Sequence, residues 1–394
     1  MRIDFVITEL HTGGAESCLT EVALGLQARG DQVRCFSIGS LPPVGRDALV
    51  RRLRDAQVPI ETAGADRITQ VFSAQRKLTR WLRDNRADVV QSFLFHANVL
   101  SSRAARRANI PTHVGNLRVA ENKPLRILIE RHAASKMQSL VCVSREVERF
   151  AKTHLCRPRR HPHGTRQHSR ATVGNDPHTH VQMWPPTTVV PNGIDASRFD
   201  QATPVDWTHL GWAPDDPVVL FVGRMHPQKN LQWLLETIPD WIGPRHPRRR
   251  LLMIGDGPLA GAIDAYCRGF GGDYVRRLPF QQDIAPWMRA ASALLLPSRY
   301  EGMPNVVLEA MACGLPVICS RVEGIAELTD GASIDMTFAV DDAAAMIDRI
   351  NQLLANESVA AMIANENRCR VQQRFTWPGV VEAYRKLYQV LTSG

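Results

Sequence analysis

The 394-residue chain is 44% hydrophobic and 22% charged, the composition of an ordinary folded protein, and its length implies two domains of roughly 150–200 residues rather than one core. No apolar run approaches the ~18–20 residues of a membrane span, and the eight cysteines include no Cys-x-x-Cys pair, which argues against a zinc ribbon or a disulfide framework and for a reduced, cytoplasmic protein. The net charge of +9 is uneven: residues 1–200 carry 30 Lys/Arg against 18 Asp/Glu, whereas residues 201–394 carry 18 against 21, so an anionic partner is expected on the N-terminal half.

The opening "MRIDFVITELHTGG" reads as a strand running into a glycine turn and not as a secretion signal. An amphipathic helix, "AESCLTEVALGLQARG", follows and ends at Gly30. The strands "QVRCFSI", "ADVVQSF", "THVGNL" and "SLVCVS" come next, each with a helical segment behind it. Strand–helix alternation of this kind predicts a parallel sheet in a Rossmann-like α/β layer. The pattern breaks near Cys156. Residues 156–186 are rich in Pro, Gly, Arg and His, hold five of the thirteen histidines and lack apolar periodicity, so a long mobile insert is expected. His161, His163, His178 and His180 suggest a metal site less well than a solvated loop, because no acidic or cysteine ligand completes a set.

The alternation resumes at "TTVVPNGIDASRF", where Asn192-Gly193 is a turn suited to a domain hinge. A second series of strands follows: "VVLFVGR", "LLMIGDG", "YVRRLPF", "ALLLPSR" and "PVICS". The chain closes on an amphipathic helix, "WPGVVEAYRKLYQVL". The expected organisation is an N-terminal domain over 1–190, a C-terminal domain over 191–375 and a final helix over 376–394 that crosses back to the first domain.

The chemistry concentrates in "PSRYEGMPNVVLEAMACGLPVICS". Glu301 follows a buried strand directly, and Pro304 is expected at the first helical position, where its missing N–H costs little. The N–H groups of Met303, Asn305 and Val306 would then point at an anion such as a phosphate. Glu309 lies further along the same helix, several ångströms deeper at about 1.5 Å per residue, where a carboxylate can accept two hydrogen bonds from a ribose diol. Glu301, at the mouth, would face the group beyond the phosphates. The blander reading makes both glutamates surface residues of an amphipathic helix. In "LFVGRMHPQKNL", Arg224 and Lys229 sit between a buried strand and a helix, where two cations can clamp a diphosphate and stabilise it as a leaving group.

These motifs, with "GGAE" after the first strand, "VVPNGID" at the hinge and "IGDGP" in the second half, resemble the large glutamate-x7-glutamate family of retaining GT-B-fold glycosyltransferases (glycosyl transferases group 1, family 4 type). The resemblance covers most of the chain and is weakest over 156–186 and around 330–340. It implies two Rossmann-like domains with parallel sheets facing across a cleft, the donor held mainly by the second. By position, Glu309 resembles the family's ribose-binding glutamate, Glu301 the one on the transferred sugar, and Arg224 with Lys229 the diphosphate pair. Gly13 and Gly14 resemble the glycine loop that approaches the donor phosphates, and His96 a histidine that contacts the transferred sugar. Arg118 and Ser144 fall at strand ends, and Arg118 is assigned to the acceptor or its phosphate. Phe280 marks the loop beside the nucleobase; Gln281 and Gln282 follow it where the family often has a glycine, which leaves the base open among UDP-, GDP- and ADP-sugars.

The expected function is metal-independent, retaining transfer of a hexose-type sugar to a lipid-linked or envelope saccharide. The absence of Asp-x-Asp argues against a metal-bridged diphosphate, and no cofactor is expected. The family implies front-side attack, with the departing diphosphate helping to deprotonate the acceptor. The basic N-terminal half suits peripheral contact with an anionic membrane on its inner face. Two alternatives remain: a GT-B-type sugar-nucleotide epimerase, which needs no acceptor, and a nucleic-acid-binding module, for which no aromatic-interleaved basic motif speaks.

Overall fold

A computed structural model describes residues 1–11, 13–158, 183–269 and 272–393. The chain divides into two compact units, Met1–Val190 with Ala383–Gly394, and Pro191–Glu382.

Unit 1 is built on β1 (Arg2–Ile7), β2 (Gln32–Ser37), β3 (Ile60–Thr62), β4 (Val89–Phe93), β5 (Thr112–Leu117) and β6 (Ser139–Cys142). A small antiparallel pair, β7 (Arg157–Pro158) and β8 (Met183–Trp184), flanks the segment predicted as an insert, and β9 (Thr187–Val189) completes the sheet. All pairings in the seven-stranded sheet are parallel, in the order β3-β2-β1-β4-β5-β6-β9. The expected long loop over 156–186 therefore begins and ends in paired strand; its centre, with the four histidines named above, lies outside the described residues.

Unit 2 repeats the plan with β10 (Val218–Val222), β11 (Arg250–Ile254), β12 (Val275–Leu278), β13 (Ala293–Leu296), β14 (Val317–Ser320) and β15 (Thr337–Phe338). Their order is β12-β11-β10-β13-β14-β15, again all parallel. Both sheets are Rossmann-like. The central strands read as unbroken apolar runs such as "VVLFV" because helices cover both faces, and Val218, Val219, Leu220 and Phe221 are all buried.

In both sheets the strand order reverses once, between β1 and β4 in unit 1 and between β10 and β13 in unit 2. Loops leaving neighbouring strands in opposite directions part there, and the crevice they leave at the carboxyl ends is where open α/β sheets bind ligands. Gly13 and His96 follow β1 and β4; Arg224 and Glu301 follow β10 and β13.

The final helix, Trp377–Thr392, places Tyr384 and Tyr388 fully inside unit 1. Asn116 Nδ2 donates to the Tyr384 hydroxyl at 2.7 Å, and the Tyr388 hydroxyl donates to Gln91 Oε1 at 2.9 Å. Tyr384 also stacks on Phe93 with ring centroids 6.4 Å apart. Buried hydroxyls persist only when paired, so these two bonds fix the helix's rotation as well as its position. Among the described residues no helix is long and apolar enough to cross a membrane.

Tyr384→Phe keeps the stacking but strands the Asn116 amide. We expect it to lower stability by roughly 1–3 kcal/mol, read as a lower urea midpoint in unit 1, and an unchanged midpoint would contradict the role given to this bond.

Candidate active site

The unit 2 site is assembled by backbone pairing between the loops that follow β10 and β13. Arg299 N donates to Gln228 O at 2.9 Å, and Gln228 Nε2 donates to Tyr300 O at 2.8 Å. This stitching carries Lys229, at the end of a short 3-10 turn (Pro227–Lys229), to Glu301: Lys229 Nζ donates to Glu301 Oε1 at 2.5 Å. Ser298 Oγ donates to the same oxygen at 2.6 Å, and Ser320 Oγ in turn donates to Ser298 O at 2.5 Å. Glu301 is 7% exposed, and a carboxylate so enclosed is tolerated in a fold where it is paired and hydrogen-bonded, as here. Both of these bonds go to one carboxylate oxygen, Oε1.

The helix carrying Glu309 runs Asn305–Cys313. Pro304 is its N-cap, with φ −75° and ψ 115°, one residue earlier than the sequence suggests. Asn305 and Val306 thus supply the first helical N–H groups, whereas Met303 precedes the helix. Asn192 fixes this end, since its Nδ2 donates to Asn305 Oδ1 at 2.5 Å and to Met303 O at 3.3 Å. The hinge asparagine is therefore a clamp on the helix start, a role that no local signal announces across 113 residues.

Glu309 projects from the second turn, only partly open to solvent. Burial pushes its pKa up to about 7, against which Arg198 pulls it down and Asp283 pushes it further up. Its carboxylate accepts no hydrogen bond among the described residues. A half-buried, unpaired carboxylate is an unfavourable element of a fold, and such residues persist where a ligand completes them.

Arg224 sits exposed on the turn after β10. That turn stacks on the one after β11: Met225 N donates to Asp256 O at 2.9 Å, and Gly223 N to Ile254 O at 3.0 Å. Gly255 (φ +143°) and Gly257 (φ +153°) make this approach feasible, because a Cβ at either would strike the carbonyl of Gly223 or Met225. This gives "IGDGP" its physical reason. Phe280 lies beside it, 56% exposed, with its N–H donating to Asp256 Oδ2 at 3.1 Å.

In unit 1 the Gly14–Gln27 helix starts after Gly13. A Cβ on Gly13 would run into the Glu16 carboxylate, which folds back over the helix start and accepts from nearby backbone N–H groups. Burial pushes the Glu16 pKa up to about 7, with Glu9 adding to the rise and Arg118 opposing it. Glu16 was not singled out in the sequence, although an acid in the first turn of a glycine-led helix is a recognisable anion stand-in. Arg118 is 8% exposed and donates to Cys18 Sγ at 3.6 Å. Its guanidinium thus packs against the helix that follows Gly13. His96 is the second residue of the Phe95–Arg107 helix, just after β4. Its pKa is lowered by partial burial first and by Arg126 second, with Glu9 opposing, so a neutral imidazole is favoured. Leu94, which caps this helix at φ +74° and ψ 163°, occupies a region almost reserved for glycine, a strain of about 1–3 kcal/mol of the kind concentrated at functional sites.

Two family models match the two halves of the chain, Glycosyltransferase Family 4 over residues 12–163 and Glycosyl transferases group 1 over residues 216–356. The chain belongs to the GT-B glycosyltransferases. Its relatives include a D-inositol 3-phosphate glycosyltransferase of Corynebacterium jeikeium, 28% identical over 52% of this chain and 51% of the relative. Another is a GDP-mannose-dependent phosphatidylinositol monomannoside mannosyltransferase of Corynebacterium glutamicum, 27% identical over 51% and 55%. The chain spans about half the length of the relatives it matches. The fold is shared with the Anabaena protein HepE in complex with UDP, at a TM-score of 0.78 and 18% identity over 99% of this chain and all of the other. Sucrose-phosphate synthase from Thermosynechococcus elongatus follows the same fold at 0.75 and 19% identity over the whole of both chains.

For this glycosyltransferase-family chain, the raised Glu309 pKa has a signed consequence. The folded state favours the protonated carboxyl, so its contribution is fully present below pH ~4.5 and is lost as pH rises through about 7. Glu309→Gln should therefore stabilise the ligand-free protein at pH 8 by roughly 1–3 kcal/mol and leave it unchanged near pH 4.5. Thermal midpoints across that range check this; an identical pH profile for variant and wild type would contradict it.

Proposed function

We propose that the chain transfers a hexose-type sugar from a nucleoside-diphosphate sugar to a saccharide or lipid-linked acceptor, with retention of anomeric configuration and without a metal ion. The observation that carries this reading is the unpaired Glu309 carboxylate on the helix that begins at Asn305, beside a Lys229–Glu301 ion pair. A ribose diol would donate both its hydroxyls to Glu309. The diphosphate would then lie toward the N–H groups of Asn305 and Val306, the helix-end charge that favours anions. Lys229 and the exposed Arg224 supply the positive charge that a leaving diphosphate requires, which is the basis for assigning no metal. The free oxygen of Glu301 faces the sugar hydroxyls.

In the step itself the bond between the anomeric carbon and the diphosphate oxygen breaks while a bond to the acceptor oxygen forms on the same face. The acceptor proton passes to the departing diphosphate. Gly13, Gly14 and His96 are assigned to the donor phosphates and the transferred sugar, a role that a neutral imidazole suits because it can donate or accept. Phe280 is assigned to the nucleobase. UDP bound to the HepE fold neighbour and the GDP-mannose dependence of a relative both support a nucleotide-sugar donor; they divide on the base.

Thermal shifts against UDP, GDP and ADP, with and without a chelator, test the donor site. A ligand at ~100 times its dissociation constant stabilises by about 2.7 kcal/mol, and one nucleotide should do so equally with chelator present. Glu309→Ala should weaken that nucleotide about 10–100-fold, in line with lost charge-assisted bonds of roughly 1.5–3 kcal/mol. Glu301→Ala should chiefly lower kcat, by ~100-fold or more. No stabilisation by any nucleotide, or formation of an epimeric sugar nucleotide without acceptor, would overturn the proposal.

A further inference from the structure

The start of the Glu309 helix offers few backbone donors to the ligand assigned to it. Pro304, the N-cap, has no N–H, and Val307 N already donates to Pro304 O at 3.1 Å. The open helical N–H groups are those of Asn305 and Val306, set against the several acceptor oxygens of a diphosphate. A third polar group stands at the same place. The Asn305 side chain is half-buried at the first helical position, and its orientation is fixed from outside the helix.

Which way the Asn305 amide faces follows from Asn192. Asn192 Nδ2 donates to Met303 O at 3.3 Å and to Asn305 Oδ1 at 2.5 Å. A backbone carbonyl can only accept, so Asn192 must turn its NH2 group toward this corner, and the Asn305 atom that meets the same NH2 must be an oxygen. Asn305 therefore turns Nδ2 away from Asn192, and among the described residues Nδ2 donates no hydrogen bond. Asn192 is itself held in place. It is 1% exposed, and its own N–H donates to Met303 Sδ at 3.1 Å. Two residues on, Ile194 N donates to Phe375 O at 2.8 Å, and a Cβ on the intervening Gly193 would strike the Trp377 ring.

We propose, resting on the donor-site reading above, that the Asn305 side-chain amide is a third donor to the phosphate oxygens of the nucleoside diphosphate, and that Asn192 is the positioning residue that keeps its NH2 group facing them. An amide at a helix start can present either its donor or its acceptor end. The acceptor end would repel a phosphate at the place where the helix charge attracts one. Asn192 removes that choice. An asparagine that met only water would gain little from having its oxygen held by a buried residue, since water serves both ends of the amide alike. A ligand that only accepts does not.

The test is the calorimetric affinity of the preferred nucleoside diphosphate for the wild type, Asn305→Ala, Asn192→Asp and the double variant. Asn305→Ala should weaken binding at least ~10-fold, the size of a hydrogen bond to a charged group. The loss should be equal for the 2′,3′-dideoxy analogue, because it arises at the phosphates and not at the ribose. Asn192→Asp puts an acceptor opposite Asn305, turns its amide round and should cost as much or more. In the Asn305→Ala background the same Asn192→Asp change should cost little, since no amide is left to turn. Additive losses would mean that Asn192 acts through the fold or through the new charge, and would overturn its positioning role. Asn305→Asp should lose more than Asn305→Ala by setting a carboxylate oxygen against the phosphate, while an acid in the first turn leaves the ligand-free thermal midpoint unchanged or higher. Should Asn192→Asp lower that midpoint, the two Asn305 variants decide. Unchanged affinity in both of them, with wild-type binding intact, would overturn this inference alone. No nucleotide binding by the wild type would overturn the donor-site reading and this inference with it.

Discussion

The reversal of strand order beside β10 opens a gap between two loops, and the Lys229–Glu301 ion pair closes it. Taking either charge out of water alone would be costly, and the contact at 2.5 Å with the Ser298 hydroxyl beside it offsets that cost for both. The serine pair Ser298 and Ser320 then ties the carboxylate to the carboxyl ends of β13 and β14. The result is a rigid corner of the sheet that presents one cation and one free carboxylate oxygen side by side. Electrostatic help to a reaction depends on such groups being held before the substrate arrives.

Glu309 is the counterpart that the fold leaves unfinished. Its neighbours Arg198 and Asp283 are paired with each other at 2.8 Å and act on it only from a distance. Burial without a partner works against stability, and it is at ligand-binding positions that proteins tolerate this. Glu16 shows the same physics in unit 1, with a carboxylate raised to about 7 over the start of the glycine helix, held between Glu9 and Arg118. Two helix starts at two switch points, each with a strained acid nearby, form the common plan of the two units.

Much of this was legible in the sequence because it is local. Unbroken apolar runs gave the central strands, and Glu301 after a buried strand with Pro304 before Glu309 marked a strand, a loop and a helix start in one stretch. Pro304 was placed one residue too far into the helix, since proline suits the cap and the first turn alike and only the backbone angles separate them. Short strands such as β3 and β15 escaped notice because two or three residues carry no periodicity. The partners of the site residues were hidden for another reason. Lys229 meets Glu301 across 72 residues and Asn192 meets Asn305 across 113, distances at which pattern gives no guidance. Arg118 stands at a strand end, as its position in the sequence suggests, while its contact with Cys18 on the glycine helix spans 100 residues and leaves no local signal.

The central claim is that Glu309 awaits a ribose diol, and a double-mutant cycle between protein and ligand tests it most directly. The affinities of the preferred nucleoside diphosphate and its 2′,3′-dideoxy analogue would be measured by calorimetry on the wild type and on Glu309→Ala. The account predicts that removing the hydroxyls costs the wild type at least ~10-fold in affinity, as expected for charge-assisted bonds, and costs the variant almost nothing. An equal loss in both proteins would place the ribose elsewhere and contradict the reading of this site.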